Sequence, residues 1–500
     1  MNAPAPSSGC TACEALRARV AELEGEVARV SELERQVARI PELESQAARV
    51  AELETKVAEL AARLDQNSGN SSRPPSTDPP WKARPTKRTP SGRPRGGQKG
   101  HTGHTREFLP EDRLTDIRHY IPTECPDCHT DLPAEPRRHD PQPRRHQVWE
   151  IPDAPPEVIE HRRHGRICSC CGKLVWAELP EGVSPSGQGP RLEAMAALLT
   201  GAHRLSRRSA AQFVMDAWGI PLCAGTASGI EKRIAESLSG IYKRLGEALT
   251  EATQIHSDET TWWHEGKRQW LWIATSKRTA YYHIDEQRSR DAFERVFDAV
   301  LKGAGADWDG VLGSDRYSAY AHWPADRHQH CLAHVKRDLA KAAEHGGQVK
   351  ANASWAQGRL EEIFREWRRF VEGEIDRSRL LEVIEPHRTS MHGALSTGAR
   401  FGTGKTRGMM KQLLKHWEKL WVFLYREGVE PTNNRAERGL RGGVIWRKTS
   451  FGSQSTSGKE YVERMLSVVG TARLRGQNVL DYLTAVVGAE LARKPIPDLQ

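Results

Sequence analysis

Between Arg19 and Leu64 apolar side chains recur every ten residues: Val20, Leu23, Val27; Val30, Leu33, Val37; Ile40, Leu43, Ala47; Val50, Leu53, Val57. Steps of three, four and three give a mean period of about 3.3 residues, tighter than a heptad's 3.5, and predict a helix that self-associates as an overwound coiled coil. Glu22, Glu24, Glu32, Glu34, Glu42, Glu44, Glu52 and Glu54 alternate with Arg19, Arg29, Arg39 and Arg49, the flanking charges expected beside such a seam. A single solvated helix is the competing reading. Pro41 stands where the other repeats carry Ala21, Ser31 and Ala51, and is placed to break the helix.

Further along, the apolar runs become short, aromatic and β-branched. Gln254–Trp263, Gln269–Ser276 and Ala280–Ile284 read as three successive strands, aromatic and β-branched, followed by a helix over Arg290–Leu301. Leu205–Pro221 and Gly225–Arg233 read as two helices around a Gly-Ile-Pro turn, which fits a DNA-binding helix-turn-helix and equally an ordinary helical hairpin. Ala353–Phe370 and Met409–Tyr425 are strongly helical and carry Trp355, Trp367, Trp417 and Trp421.

At 500 residues the chain has room for about three domains. The net charge of +9 is unevenly spread: Arg73, Lys82, Arg84, Lys87, Arg88, Arg93, Arg95, Lys99 and Arg106 face only Asp78 in a stretch rich in Pro, Gly and Ser. Such a segment cannot bury a core, so it reads as a linker, and its charge suits nucleic-acid phosphate. No apolar run is long enough to span a bilayer and no charged-then-apolar leader opens the chain, so a cytoplasmic protein is expected.

Two Cys-x-x-Cys pairs, Cys125 with Cys128 and Cys168 with Cys171, bracket a basic insert with Arg144, Arg145, Arg162, Arg163 and Arg166. Thiolates spaced this way on two tight turns suit one tetrahedral Zn²⁺. Cys170 competes for the second turn, but Gly172 after Cys171 eases the turn in favour of Cys168 and Cys171. Cys10 and Cys13 lie in a tail with a disordered composition and carry no assigned role.

Candidate chemistry centres on three acids. Asp258 falls within the first strand, Asp315 ends an apolar run 57 residues later, and Glu437 follows a Pro-Thr-Asn-Asn cap a further 122 residues on, in the first turn of a helix. Three carboxylates suit hard divalent cations, and a two-ion site stabilises the attacking and leaving oxygens of an in-line phosphodiester displacement. Glu259 points to the other face of its strand and is a poor ligand. Arg435, Arg438 and Arg441 surround Glu437 at helical spacing, with Lys448 beyond; they suit phosphate, although Glu437 and Arg441 also fit a plain surface ion pair. Cys331 and His334, with His328 and His330 upstream, fit either a small metal site or a buried helix start.

Ile255–Thr260, Leu312–Tyr317 and Thr432–Arg438 resemble signatures of the bacterial DDE transposases of the insertion-sequence-sixty-six type. So do Asn67–Ser76, Gly96–His101, Cys125–Cys128, Cys331–His334 and Gln477–Leu483, in the family's order, from about residue 60 to near the C-terminus. The resemblance implies a ribonuclease-H-like catalytic core, two Mg²⁺ (or Mn²⁺) ions on Asp258, Asp315 and Glu437, a zinc-binding module that contacts DNA, and accessory proteins from the same element.

The expected chain is therefore a multidomain α+β protein. A coiled-coil oligomerisation segment (1–66) and a basic linker (67–118) precede a zinc-binding module (119–180) and a helix-turn-helix-like region (188–250) in which Arg207 and Arg208 are candidate DNA contacts. A catalytic core (251–470) with a helical insertion at about 340–428 and a C-terminal helix and tail (471–500) complete it. The expected function is DNA transposition: binding of terminal inverted repeats on double-stranded DNA, end cleavage and strand transfer by a homo-oligomer. An inactive DNA-binding regulator and a Mg²⁺-dependent nuclease are the alternatives.

Overall fold

The computed structural model describes residues 11–64, 107–298, 308–344, 347–402 and 404–499. The chain divides into two units, Met1–Thr89 and Pro90–Gln500. In the first, the decad repeat forms helix α1 (Thr11–Ala38) and helix α2 (Ile40–Leu64). The interruption falls at Arg39, two residues before Pro41, whose ring crowds the carbonyl four residues back and which has no N–H to extend the ladder. Val20, Leu23, Val30 and Leu53 of the stripe stand exposed in the single chain. Arg19–Glu22, Arg35–Glu32 and Lys56–Glu52 pair along the surface; such pairs are worth only about 0.2–0.5 kcal/mol each. Cys13 belongs to the first turn of α1 rather than to a disordered tail. Cys10 and the basic segment from Arg73 to Arg106 lie outside the described residues.

The second unit opens with a stretch that has almost no interior. Among the described residues none between 107 and 180 joins a hydrophobic cluster, and Tyr120, Ile151 and Val158 are each at least 86% exposed. Its regular element is a small antiparallel hairpin, β1 (Gly165–Ile167) with β2 (Leu174–Trp176).

Helices α3 (Pro190–Ala197), α4 (Arg207–Trp218), α5 (Ala224–Ser237) and α6 (Ser239–Glu247) follow. Ser206 caps α4 by accepting from the Ser209 N–H, and Gly219, at φ 64°, ends it in the left-handed conformation that glycine tolerates.

A five-stranded mixed sheet comes next. β3 (Gln254–His264), β4 (Lys267–Thr275) and β5 (Ala280–Asp285) form an antiparallel meander; after helix α7 (Arg290–Val296), β6 (Val311–Ser314) and β7 (His328–His330) join in parallel on the other side of β3, giving the order β5-β4-β3-β6-β7. The meander lies where the aromatic and β-branched runs placed it. Helix α7 ends at Val296, with Phe297 in a turn, and the last residues of the expected helix, up to Leu301, lie outside the described residues.

Between the sheet and the last helices runs a helical array: α8 (Leu332–Ala343), α9 (Gly347–Val371), α10 (Arg377–Phe401), α11 (Gly404–Lys415) and α12 (Val422–Tyr425). It has its own core, in which Leu360, Ile363, Ile384, Met391, Leu395, Met410 and Trp421 are fully buried. Met409–Tyr425 is not one helix. It breaks after Lys415 into a short tight turn, where Lys419 Nζ is drawn inward to donate to the Ala321 and Trp323 carbonyls at 3.2 and 2.7 Å and to meet His328 Nδ1 at 3.0 Å. A lysine buried against the sheet overrides the helical pattern, since its ammonium must find these acceptors.

Helix α13 (Asn434–Ser450) lies on β3 and β4, α14 (Thr456–Leu474) on β5, and α15 (Val479–Leu491) packs near α3. Gly439 and Gly443 let α13 close on the sheet: a Cβ on them would meet Ile273 Cδ1 at 2.4 Å and Leu271 Cδ2 at 2.2 Å. Helix α14 supplies acceptors to the outer edge of β5. The N–H groups of Ala280, Tyr282 and Ile284 donate to Thr471 Oγ1 (3.0 Å), Ser467 Oγ (2.9 Å) and a Glu463 carboxylate oxygen (2.6 Å). No helix among the described residues is long and apolar enough to cross a membrane.

Candidate active site

Asp258 is the fifth residue of β3, and Asp315 follows β6 directly. Because His256 pairs with Gly313 in the parallel β3–β6 register, Asp258 and Asp315, each two residues further on, come level at the same end of adjacent strands. Glu437 arrives from the first turn of α13. The Asp258 carboxyl is held well above the usual carboxylate range, first by burial and then by the negative charges of Glu259, Asp315 and Glu437. Burial also raises Asp315, opposed by the Tyr317 N–H at 2.8 Å and by Arg288, Arg316 and Arg337. A buried carboxyl raised by burial and by neighbouring acids suits a divalent cation, whose charge offsets both.

Glu259 turns away, as strand alternation requires. Its buried carboxylate pairs with Arg288 at 2.6 Å and accepts from the Tyr320 hydroxyl. Arg288 in turn lies 3.9 Å over the Tyr317 ring. This network braces the floor beneath Asp258 and Asp315.

Asn433 is the residue the sequence reading undervalued. Expected as a cap, its side chain makes no capping bond. Instead Nδ2 donates to the Ser257 carbonyl at 2.7 Å, Oδ1 lies 3.3 Å from His256 Nδ1, and the Asn433 N–H donates to Cys331 Sγ at 3.1 Å. It thereby fixes the start of α13 against β3 beside Asp258 and against the start of α8.

The surroundings of Glu437 differ from the expected surface pair with Arg441. Its Oε1 lies 3.1 Å from Arg337 Nη2 and 3.5 Å from His334 Nδ1. Cys331 Sγ, a His334 ring nitrogen and a Glu437 oxygen all lie within 4.8 Å of one another. Burial pushes His334 down to about 4, aided by Arg337 and Arg316, and pushes the Cys331 thiol up to about 11.

The candidate phosphate contacts divide. Arg435 pairs with Glu430 at 2.8 Å and Arg207 with Glu231 at 2.7 Å, so both are engaged within the fold. Arg438, Arg441, Lys448 and Arg208 are exposed.

Each Cys-x-x-Cys pair forms its own tight turn. The Cys125 N–H donates to Thr130 O and His129 N–H to Cys125 O; likewise Cys168 N–H donates to Lys173 O and Gly172 N–H to Cys168 O. His129 and Gly172, each following the second cysteine, take φ 58° and 70°. Neither the four cysteines nor Asp258, Asp315 and Glu437 have all their ligand atoms within 4.8 Å of one another; among the described residues Cys331, His334 and Glu437 do.

The candidate site belongs to an α+β protein in which two aspartates stand level on adjacent strands and a helix-borne glutamate acts on one of them. Residues 187–461 match the model of the Transposase IS66 family, and residues 4–107 match a family of unknown function, DUF6444. A relative described as uncharacterized protein y4hP, of Sinorhizobium fredii (strain NBRC 101917 / NGR234), is 25% identical over 390 residues, covering 69% of this chain and 67% of its own. The chain belongs to the IS66 transposase family. Membership implies a DNA substrate, nucleotidyl transfer and the use of divalent metal.

Proposed function

We propose that the protein binds the terminal inverted repeats of its own element, cleaves at the ends and joins the liberated 3′-hydroxyls to target DNA. The observation that carries this reading is the placement of Asp258 and Asp315 level on adjacent parallel strands, with Glu437 near enough for its charge to raise the Asp258 carboxyl. The order β5-β4-β3-β6-β7, with an antiparallel meander on one side and β6 and β7 added in parallel beyond the central β3, supports a ribonuclease-H-like core.

Two Mg²⁺ or Mn²⁺ ions bound there would supply a nucleophilic oxygen and stabilise the leaving one. Asp258 and Asp315 would hold them from a floor kept rigid by Glu259, Arg288 and Tyr320, and Glu437 from the opposite side. Asn433 sets the distance between α13 and β3 on which that arrangement depends. Arg438, Arg441 and Lys448 present charge to the DNA backbone along the same helix.

The test is a strand-transfer assay on element-end DNA with Asp258→Asn, Asp315→Asn and Glu437→Gln. Each should lower cleavage and joining by more than the roughly 10–100-fold typical of losing an outer-shell partner of a metal, while end binding persists. Cleavage without joining in the natural chain would make it a nuclease; binding without either would make it a regulator. Retained cleavage by Asp315→Asn would remove that residue from the site.

A further inference from the structure

We infer that Cys331, His334 and Glu437 form a second metal site, one for a borderline-soft divalent ion of the zinc class. Their ligand atoms lie within 4.8 Å of one another. Zinc bonds of about 2.0–2.3 Å place neighbouring ligand atoms of a tetrahedron about 3.3–3.7 Å apart, so small side-chain rotations close the set. One edge is already formed, with His334 Nδ1 at 3.5 Å from Glu437 Oε1. That nitrogen is buried and makes no hydrogen bond, an arrangement a folded interior seldom leaves without a purpose.

Local structure favours the same site. Cys331 caps α8 and His334 stands three residues on, so sulfur and imidazole share one side of the first turn. The Asn433 N–H donates to Cys331 Sγ at 3.1 Å, a bond that a metal-bound thiolate retains. Sulfur and nitrogen donors exclude Mg²⁺ as the natural occupant and suit zinc. Three protein ligands leave a fourth position open.

Binding requires only that Cys331 release its S–H proton to water, the sulfur lone pair then bonding to the ion, with no change of oxidation state. Arg337, 3.1 Å from the same Glu437 oxygen, is the competitor and must swing aside. The occupied site would tie the start of α8 to the start of α13 and so hold the third acid from a direction the two aspartates do not. This inference shares Glu437 with the proposed catalytic reading but does not rest on it, because its test counts bound ions and not strand transfer.

Full-length natural chain, Cys331→Ser, Glu437→Gln and Arg337→Ala are equilibrated with Zn²⁺, dialysed against metal-free buffer and counted by mass spectrometry of the metal. Cys125, Cys128, Cys168 and Cys171 are present in all four, so their contribution cancels. Cys331→Ser and Glu437→Gln should each carry about one ion fewer per chain than the natural protein, and Arg337→Ala should hold its full complement at least as tightly. Cobalt-loaded natural chain should show a thiolate-to-cobalt band component that Cys331→Ser lacks. Glu437 is partly exposed, so its amide keeps the fold even if the buried Cys331→Ser does not. Retention of the full complement by Glu437→Gln overturns the site, whatever Cys331→Ser does.

Discussion

Asp258 concentrates the tension at the scale of single residues. Its folded-state carboxyl is raised above the unfolded value of about 3.9, so the folded chain binds more protons than the unfolded one between those two values. Stability from this group therefore falls as pH rises from about 4 through the raised value, and a divalent cation should restore it. Metal-free protein should melt lower at pH 8 than at pH 5 on this account, with Mg²⁺ raising the melting temperature more at pH 8. Asp258→Asn should raise the metal-free melting temperature at pH 8, by roughly 2–4 °C for each kcal/mol of relieved repulsion in a domain of this size, and abolish most of the Mg²⁺ response. An undiminished Mg²⁺ response in that variant would place the ion elsewhere. The strand that carries Asp258, the strand end before Asp315 and the helix start at Glu437 were legible in the sequence because each follows a local pattern. The role of Asn433 was not, since its partners Ser257 and Cys331 stand 176 and 102 residues away and only the folded sheet brings them to it.

Among the elements, glycine placement decides how close α13 lies to the sheet. Gly443→Val should destabilise the fold by about 1–3 kcal/mol, the usual cost of overpacking, since even a Cβ meets Leu271 at 2.2 Å. Gly408→Ala, in α11 with open space around it, should stabilise by about 0.5–1 kcal/mol; urea melts of the two variants shifting in the same direction would refute the packing argument. The cysteine turns give a second prediction at this scale. Where burial supplies so little, metal binding is the folding energy: the natural protein should hold about one Zn²⁺ through Cys125, Cys128, Cys168 and Cys171. Cys128→Ser should lose it and become sensitive to protease between 107 and 180 while the sheet melts unchanged. A zinc content equal to that of the natural chain would exclude Cys128 as a ligand. The strands of the meander were readable from their aromatic and β-branched runs, which the sheet needs because β4 buries Leu271 and Ile273 on one face and Trp272 and Ala274 on the other. The break after Lys415 was not, because it depends on carbonyls of Ala321 and Trp323 that no local pattern announces.

For the whole molecule, the stripe of α1 and α2 is the question. A row of exposed valines and leucines with weak ion pairs beside it gains its stability from another surface, and a second copy of the same stripe is the partner proposed here. Joining two element ends needs one chain at each. Removing residues 1–64 should therefore lower the solution mass to that of a smaller assembly and impair paired-end joining at least about tenfold more than single-end nicking, an avidity loss at the low end of what linked sites confer. Equal mass and equal paired-end joining by the truncated protein would move the assembly contacts to the helical array or the C-terminal helices.

The three acceptors on α14 behave as a missing sixth strand. Glu463, Ser467 and Thr471 advance four residues at a time, about 6 Å along a helix, while the N–H groups they meet on β5 advance two residues at a time, about 6.8 Å along a strand. Cog and rack nearly match over three teeth and would drift apart over many more, so the helix can engage only a short edge and in only one phase. Two things follow. The sheet cannot be lengthened on that side by a strand from a neighbouring chain, which directs assembly away from edge pairing. And α14, unable to slide, anchors the far end of the segment on which Glu437 rides: the third acid is registered against the sheet through a mesh of hydroxyls and one carboxylate some thirty residues downstream.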